Sequence, residues 1–242
     1  MHTPDLLILL LLIAGAAASA HWKKLTPAAA ALGVLIGSVV YYGDAYRGIM
    51  ELALFFALGT TATAWKKKEK LQIKGNAAHQ PQRTSGQVFA NGGVAAIVGA
   101  LIIALPAQKG PLSLAMAAGL SSATADTLSS ELGIIYGRRC YNILTWKKEE
   151  RGLDGVISIE GTAIGIAGSI LIALAYTVST GWNIAAFLII ILAGTAGNLV
   201  DSLLGAVFER RELLGNNTVN FLNTLVAALL AYVFALLTSY PS

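Results

Sequence analysis

The sequence predicts an all-α fold, a polytopic membrane helix bundle of about eight transmembrane helices with a cytoplasm-facing site. Of its 242 residues 55% are hydrophobic and only 12% are charged, about half the charged fraction of a soluble domain. The mean hydropathy is +0.66. Several apolar runs approach the ~20 residues that cross a bilayer. We therefore expect residues 1–242 to form a single integral membrane domain with no sizeable soluble part.

Charged residues and helix breakers divide the apolar sequence into separate helices. Pro27 and Pro111 stand where proline suits the start of a helix. The first run has a small-residue end like that of a signal peptide, but Asp5 precedes it and Lys23 and Lys24 follow it, so we expect a retained first span. The eight predicted helices are residues 4–21, 26–42, 47–65, 87–105, 111–136, 157–178, 183–207 and 217–238.

The distribution of basic residues predicts the orientation of these helices. Fifteen of the 17 lysines and arginines fall in the first, third, fifth and seventh loops, and the other two are Arg47 and Lys109. Because basic loops stay on the cytoplasmic side, we expect both termini outside and the protein in the plasma (inner) membrane. Topology thus accounts for the net charge of +4, and we expect no nucleic-acid partner.

Two carboxylates stand inside apolar sequence, in similar local frames. Asp126 follows Ala118-Gly119, and Asp201 follows Ala193-Gly194 at the same spacing, which suggests an internal duplication. An ionised carboxylate at the centre of a bilayer costs about 2.5–3.5 kcal/mol, so such residues are usually retained for a function. Small-residue pairs such as Gly33/Gly37 and Gly161/Gly165 are instead expected to be faces where helices pack closely.

Polar side chains collect at the predicted cytoplasmic ends of six helices, whereas the outer halves are mostly Leu, Ile, Val and Ala. On the outer side, Asp44, Arg47 and Glu51 are interpreted as local ion pairs, with Glu51 within four residues of Arg47. An ion pathway would spread polar groups across the membrane. The one-sided cluster favours chemistry on a lipid headgroup that meets a water-soluble cosubstrate.

Metal-assisted phosphoryl transfer fits these residue types. Asp126 and Asp201, with Glu131 about 140° away around an ideal helix, are the predicted catalytic residues and ligands of Mg²⁺, which bridges nucleotide phosphates. Arg83 can hold a phosphate bidentately. The single cysteine, Cys140, excludes an internal disulfide and a cysteine-based metal cage. The other predicted substrate- or nucleotide-binding residues are Asn91, Ser129, Ser130, Ser158, Asn198, Asn217 and Asn220.

At these residues the chain resembles a family of integral membrane proteins that includes phytyl-phosphate kinase. The resemblance covers about residues 30–238, and its most distinctive parts are Asp-Thr-Leu-Ser-Ser-Glu and Asn-x-x-Asn-Phe. The segments that carry it are 83–92 (RTSGQVFANG), 126–133 (DTLSSELG), 154–162 (DGVISIEGT), 197–205 (GNLVDSLLG) and 217–224 (NTVNFLNT).

The resemblance implies a relation to polyprenol kinases and phosphatidate cytidylyltransferases, which use CTP and Mg²⁺. It implies transfer of the γ-phosphate of CTP (or ATP) to an isoprenyl monophosphate of the phytyl type, giving the diphosphate. A cytidylyltransferase acting on a lipid phosphate and a lipid or ion transporter are the alternatives. Membrane lipid is an expected partner, and assembly into a homo-oligomer stays open.

Overall fold

The computed structural model describes residues 3–74, 82–238 and 240, and it confirms the all-α bundle. The α-helices in this part of the chain are α1 (Thr3–His21), α2 (Pro27–Ala64), α3 (Lys67–Lys74), α4 (Ser85–Ala104), α5 (Lys109–Tyr136), α6 (Ile159–Thr180), α7 (Ile184–Leu204) and α8 (Asn216–Leu237). A 3₁₀ turn, Pro106–Gln108, precedes α5, and a π-helical turn, Gly205–Glu209, extends α7. Five of these helices (α2, α4, α6, α7 with its π turn, and α8) are long and apolar enough to span a membrane.

Helix α2 contains two of the predicted spans joined through a break. Asp44 and Ala45 have non-helical backbone angles, and Ala45 has φ 53°, a left-handed conformation that is strained for a residue with a Cβ. The predicted loop between residues 42 and 47 is therefore reduced to these two positions. The two limbs of α2 are residues 27–43 and 46–64.

The limbs of α2 fold back on each other as a helical hairpin. Phe56, in the second limb, packs against a small buried cluster of Leu25, Ala29 and Ala30 at the start of the first. The backbone carbonyl of Arg83 accepts a hydrogen bond from Thr26, while the Arg83 guanidinium packs against Gly59. The start of the first limb and the end of the second therefore lie beside the same residue, Arg83. The two limbs run in opposite directions, as the predicted alternation of the spans requires.

Helix α5 is the centre of the bundle and is buried from Pro111 to Leu128. It runs antiparallel to α6, because Gly133 faces Gly161 while Thr124 faces Gly168. It runs parallel to α7: the Ser121 hydroxyl bonds to the Ile190 carbonyl, and further along the Ser129 hydroxyl bonds to Asn198. It runs antiparallel to α8, where Ser122 meets Asn223 and Gly119 meets Ala228. These directions agree with the predicted order of spans.

The ends of α5 and α7 and the starts of α4, α6 and α8 all lie at one end of the bundle. We call it the basic end, because the lysine- and arginine-rich segments 22–26, 65–74, 82–84, 137–158 and 210–215 lie there. Two elements at this end were not predicted. One is α3, whose Lys70 is only 4% exposed and donates to the Ala62 carbonyl at 2.6 Å, capping the end of α2. The other is a two-stranded antiparallel sheet, β1 (Cys140–Asn142) and β2 (Val156–Ser158).

At the opposite end, the predicted local ion pair between Arg47 and Asp44 is present, and it belongs to a buried network. Arg47 donates to Asp44 (Nε–Oδ2, 2.8 Å) and to Ser113 (Nη2–Oγ, 2.7 Å), and its guanidinium lies over the Tyr176 ring. Glu51 was expected to pair with Arg47. It is 0% exposed, and both its oxygens lack a hydrogen-bond partner in the described part of the chain. The network ties the break in α2 to α5 through Ser113 and to α6 through Tyr176.

Close helix packing predicts the effect of a single methyl group at Gly197. A Cβ there would overlap the Ser122 hydroxyl and lie 2.8 Å from the Asn223 carbonyl oxygen, so Gly197→Ala should push α7 away from α5 and α8. We expect a loss of about 1–3 kcal/mol in unfolding free energy.

Gly33→Ala is the matched control, because a Cβ at Gly33 has nothing within 4 Å. The prediction that Gly33 packs closely against another helix is therefore wrong, and its substitution should be neutral or stabilise the helix by about 0.5–1 kcal/mol. Unfolding of both variants in detergent checks this difference, and equal stabilities would contradict the packing argument.

Candidate functional site

A polar cavity of about 500 Å³ opens between the helix ends at the basic end. Its walls come from α4, α5, α6, α7, α8 and the β1–β2 hairpin. Every predicted site residue lines it except Asn217, which is exposed and packs beside Gly86 at the start of α4. The cavity size is within the ~300–1,000 Å³ typical of small-molecule sites.

Asp126 and Asp201 meet inside this cavity. Parallel packing of α5 and α7 brings their carboxyl groups within hydrogen-bonding reach of each other. Asp126 is 8% exposed. Two carboxylates at such a distance repel each other strongly when ionised, so the arrangement requires a shared proton or a bound cation.

Two amides of α8 orient Asp201. Asn223 donates from Nδ2 to Asp201 Oδ1 at 2.6 Å, and its own Oδ1 accepts from Ser122 at 3.0 Å. Asn220, with its amide nitrogen turned toward Asp201, donates to the same oxygen at 3.2 Å. The spacing of three residues places both amides on one face of α8, which gives the Asn-x-x-Asn-Phe segment a physical role.

Glu131 is held away from the aspartate pair. Its carboxylate accepts from the buried Lys70 Nζ at 2.7 Å and lies 3.4 Å from the Thr63 hydroxyl. Two of the predicted carboxylate ligands therefore meet each other, whereas Glu131 pairs with Lys70, as the ~140° separation around α5 leads us to expect. Glu131 still lines the cavity.

Arg83 reaches the cavity from a rigid position. Its backbone N–H donates to the Lys24 carbonyl at 2.9 Å, and the next residue, Thr84, caps α4 in a capping box with Gln87. Burial lowers the pKa of Arg83, and the nearby carboxylates of Glu131 and Asp126 raise it again. Because arginine stays protonated in proteins, a half-buried positive charge lies near Glu131 and Asp126.

The loop before β2 closes the cavity beside α7. Gly155 has φ +71°, and a Cβ there would overlap Ala206 in the π-helical turn, so only glycine fits. Arg210 fixes the loop by donating to the Asp154 carbonyl at 2.6 Å. Single π-helical turns occur often at functional sites, and this one brings Glu209 to the cavity wall.

The remaining predicted residues lie in the walls with most of their hydrogen bonds made. Ser158 caps α6 by accepting from Gly161 N–H, and the Ser129 hydroxyl donates to Asn198 and to the Asp126 carbonyl. Ser130 bonds to the backbone of its own helix. The buried Asn91 Oδ1 has no partner among the described residues, so this oxygen is free to accept a hydrogen bond.

Several cavity residues were not among the predicted site residues. Asp154 and Glu209 both interact electrostatically with Asp201, and Arg151 adds a cation at the rim. Asn223, which is fully buried behind the cavity wall and donates to Asp201, was not predicted either. The spacing of residues along the sequence does not predict them. Asp154 and Arg151 lie on a loop and Glu209 lies on the π turn. Asn223 acts through a contact between α8 and α7.

The aspartate pair fits a magnesium ion. No group of three or more His, Cys, Asp or Glu side chains in the described ranges is arranged to hold a metal by itself. Mg²⁺ usually keeps several waters and binds through one or two carboxylates together with substrate phosphates. Asp126 and Asp201, with Asn220 and Asn223 orienting the second, provide such a partial set.

Known proteins resemble this chain over most of its length. The membrane protein MJ0933 of Methanocaldococcus jannaschii, named as uncharacterized, is 32% identical over 81% of this chain and 79% of its own. A membrane protein of Synechocystis, sll0875, also named as uncharacterized, is 29% identical over 89% of this chain and 84% of its own. Protein VTE6, chloroplastic, of Arabidopsis thaliana is 27% identical over 86% of this chain and 64% of its own.

No solved structure matches this chain. The family profile described as "Integral membrane protein DUF92" matches residues 9–228, which include the whole aspartate cavity. The chain therefore belongs to the DUF92 family of integral membrane proteins.

Proposed function

We propose that this protein is a lipid-phosphate kinase that transfers the γ-phosphate of CTP to an isoprenyl monophosphate of the phytyl type. The observation that carries the proposal is the contact between Asp126 and Asp201 inside a polar cavity that also holds Arg83 and Arg151. The motifs shared with the phytyl-phosphate kinase family support the same reading.

The reaction needs positioning and charge neutralisation more than a strong base. A phosphate oxygen of the lipid attacks the γ-phosphorus, the bond from that phosphorus to the β,γ-bridging oxygen breaks, and CDP leaves with that oxygen. The acceptor is already an anion, so no proton has to be removed from it. Magnesium held by Asp126 and Asp201 would supply charge neutralisation at the nucleotide phosphates.

Other residues of the cavity can bind and align the two substrates. The Arg83 guanidinium can grip phosphate oxygens in a bidentate manner and align the two reactants. Arg151 also lines the cavity, on the loop that Arg210 fixes. Asn91 Oδ1, buried and without a partner in the described ranges, can accept from a nucleotide amino group or hydroxyl.

The substrate is tested by a transfer assay on the purified protein in lipid vesicles. Phytyl, geranylgeranyl and farnesyl phosphates are offered with either CTP or ATP labelled at the γ-position. We expect labelled isoprenyl diphosphate with CTP and Mg²⁺, and none when Mg²⁺ is chelated. No labelled lipid with any pair would contradict the proposal.

We also propose that the cavity faces the cytoplasm, from the excess of basic residues at this end of the bundle. The single cysteine offers a test. In a Cys140→Ser background, Trp146→Cys places a thiol at a 70% exposed position of the β1–β2 loop. A membrane-impermeant maleimide should label it in inside-out vesicles and not in intact cells, and labelling in intact cells would reverse the orientation.

Asn223 is predicted to control the metal dependence through Asp201. Asn223→Ala removes the 2.6 Å hydrogen bond to Asp201 Oδ1, and loss of such an orienting partner typically costs about 10–100-fold in metal affinity or activity. A Mg²⁺ titration of transfer should show a higher half-saturating concentration. Thr218→Ala, an exposed position on the same helix, is the control, and equal effects of both variants would refute the orienting role.

A transporter is the second candidate, and the buried Glu51 is the observation that favours it. A carboxyl group with no exposed surface and no partner in the described residues is the kind of group that ion pathways use. Proton or cation flux into protein-containing vesicles that is lost in Glu51→Gln would support it. A flux no higher than that of protein-free vesicles would rule out the transporter.

A further inference from the structure

A second cleft, of about 740 Å³, lies at the basic end on the far side of Cys140 from the aspartate cavity. It forms between the end of α5 and the β1–β2 hairpin. Four cationic side chains line it: Arg138, Arg139, Lys148 and Arg151. Ile135 and Tyr136 also line it.

The positive charge of this cleft is largely uncompensated. Its one carboxylate, Glu149, accepts from Arg210 at 2.6 Å, and this hydrogen bond lowers the pKa of Glu149. Glu160 lies close by and accepts from the backbone N–H of Arg138 at 3.3 Å. These two carboxylates face four cations and Arg210, so a net positive field remains.

The cleft also lies at the depth of the lipid headgroups. Trp65 donates from Nε1 to the Tyr136 hydroxyl at 2.9 Å, and both side chains are exposed. Exposed tryptophan and tyrosine at the ends of membrane helices mark the interface with water. On the hairpin, Leu144 and the 70% exposed Trp146 project beside Lys147 and Lys148. Apolar and aromatic side chains beside a group of cations match a ligand with an apolar body and an anionic head.

We infer that this cleft binds the headgroup of an anionic phospholipid of the bilayer, with the phosphate held by Arg138, Arg139 and Lys148. Arginine suits phosphate because its planar fork donates two parallel hydrogen bonds. The inference does not depend on the proposed kinase activity, because it concerns a different cleft and a binding equilibrium. It gives the β1–β2 hairpin the role of anchoring the wall of the aspartate cavity to the membrane surface.

The test compares lipid binding by two triple variants of the full-length protein in detergent. Arg138→Gln/Arg139→Gln/Lys148→Gln removes three of the four cleft cations. Lys23→Gln/Lys24→Gln/Lys68→Gln removes the same charge from exposed positions at the same end. Arg151 is left intact because it lines both cavities. The probes are dioctanoyl phosphatidylglycerol and dioctanoyl phosphatidylcholine, with binding followed by native mass spectrometry.

We expect the wild-type protein to bind phosphatidylglycerol at least about tenfold more tightly than phosphatidylcholine. The cleft variant should lose this preference, and the control variant should keep it within about twofold. Equal losses in both variants would mean general surface attraction and overturn the site. Equal binding of the two lipids by the wild-type protein would also overturn it, and thermal unfolding of each variant shows that the fold is retained.

Discussion

Asp201→Asn is expected to lower the rate of phosphoryl transfer at least about a thousandfold while leaving the protein folded. That loss corresponds to about 4 kcal/mol of activation free energy, similar to removal of one preorganised electrostatic group in other enzymes. The fold survives because an amide oxygen can still accept the hydrogen bond that Asn223 donates to this position. Asp126→Asn should have an effect of the same size, because the two carboxyl groups meet.

Glu69→Gln is the matched control, since it removes one negative charge at the same end of the bundle from a side chain that is 54% exposed. It should change the rate less than about twofold. The measurement is the initial rate of transfer as a function of Mg²⁺ concentration, with elution and thermal unfolding recorded for each variant. Full activity in both aspartate variants would refute their role as metal ligands.

The largest effect on stability is expected for Arg47→Met. Arg47 is the cation that compensates the buried Asp44, and breaking a buried pair from one side typically costs about 3–5 kcal/mol. The loss should appear as a lower midpoint of unfolding in detergent, because the Asp44 carboxylate and the Ser113 hydroxyl lose their shared donor.

Two further variants separate charge from packing in this network. Asp44→Asn/Arg47→Met removes both charges together, so it should recover much of the loss. Glu51→Gln should be close to neutral, because the amide keeps the shape of a buried carboxyl group that has no hydrogen-bond partner among the described residues. If Arg47→Met were as stable as the wild-type protein, the network would not hold the α2 hairpin to α5 and α6.

The helices could be predicted because the bilayer imposes their length and composition. Residues 85–104 and 159–180, for example, are continuous apolar runs between polar ends, so their existence follows from hydropathy alone. The break at Asp44 and Ala45 could be located only approximately, since its backbone angles depend on the network that Arg47 makes with another helix. The β1–β2 pairing depends on contacts across a long loop, which local periodicity does not contain.

The candidate site could be predicted to the level of residues but not of contacts. Asp126 and Asp201 could be predicted as site residues because a carboxylate inside a membrane costs free energy and is usually kept for a function. The basic loops indicated that both lie at one end of the bundle. Glu131 belongs to the same sequence motif as Asp126, but its carboxylate pairs with Lys70. The position of Lys70 depends on α3, a helix that was not predicted. Asp154 and Glu209 reach the cavity only because Gly155 lets the loop pack on the π turn.

The fate of the nucleotide tests the central claim most directly. The protein in vesicles with phytyl phosphate and Mg²⁺ is given CTP labelled at either the α- or the γ-phosphate, and lipid and soluble products are separated. The account predicts γ-label in an isoprenyl diphosphate, α-label in released CDP, and neither product with Asp201→Asn. Label from the α-phosphate in the lipid, with release of pyrophosphate, would contradict it and identify a cytidylyltransferase.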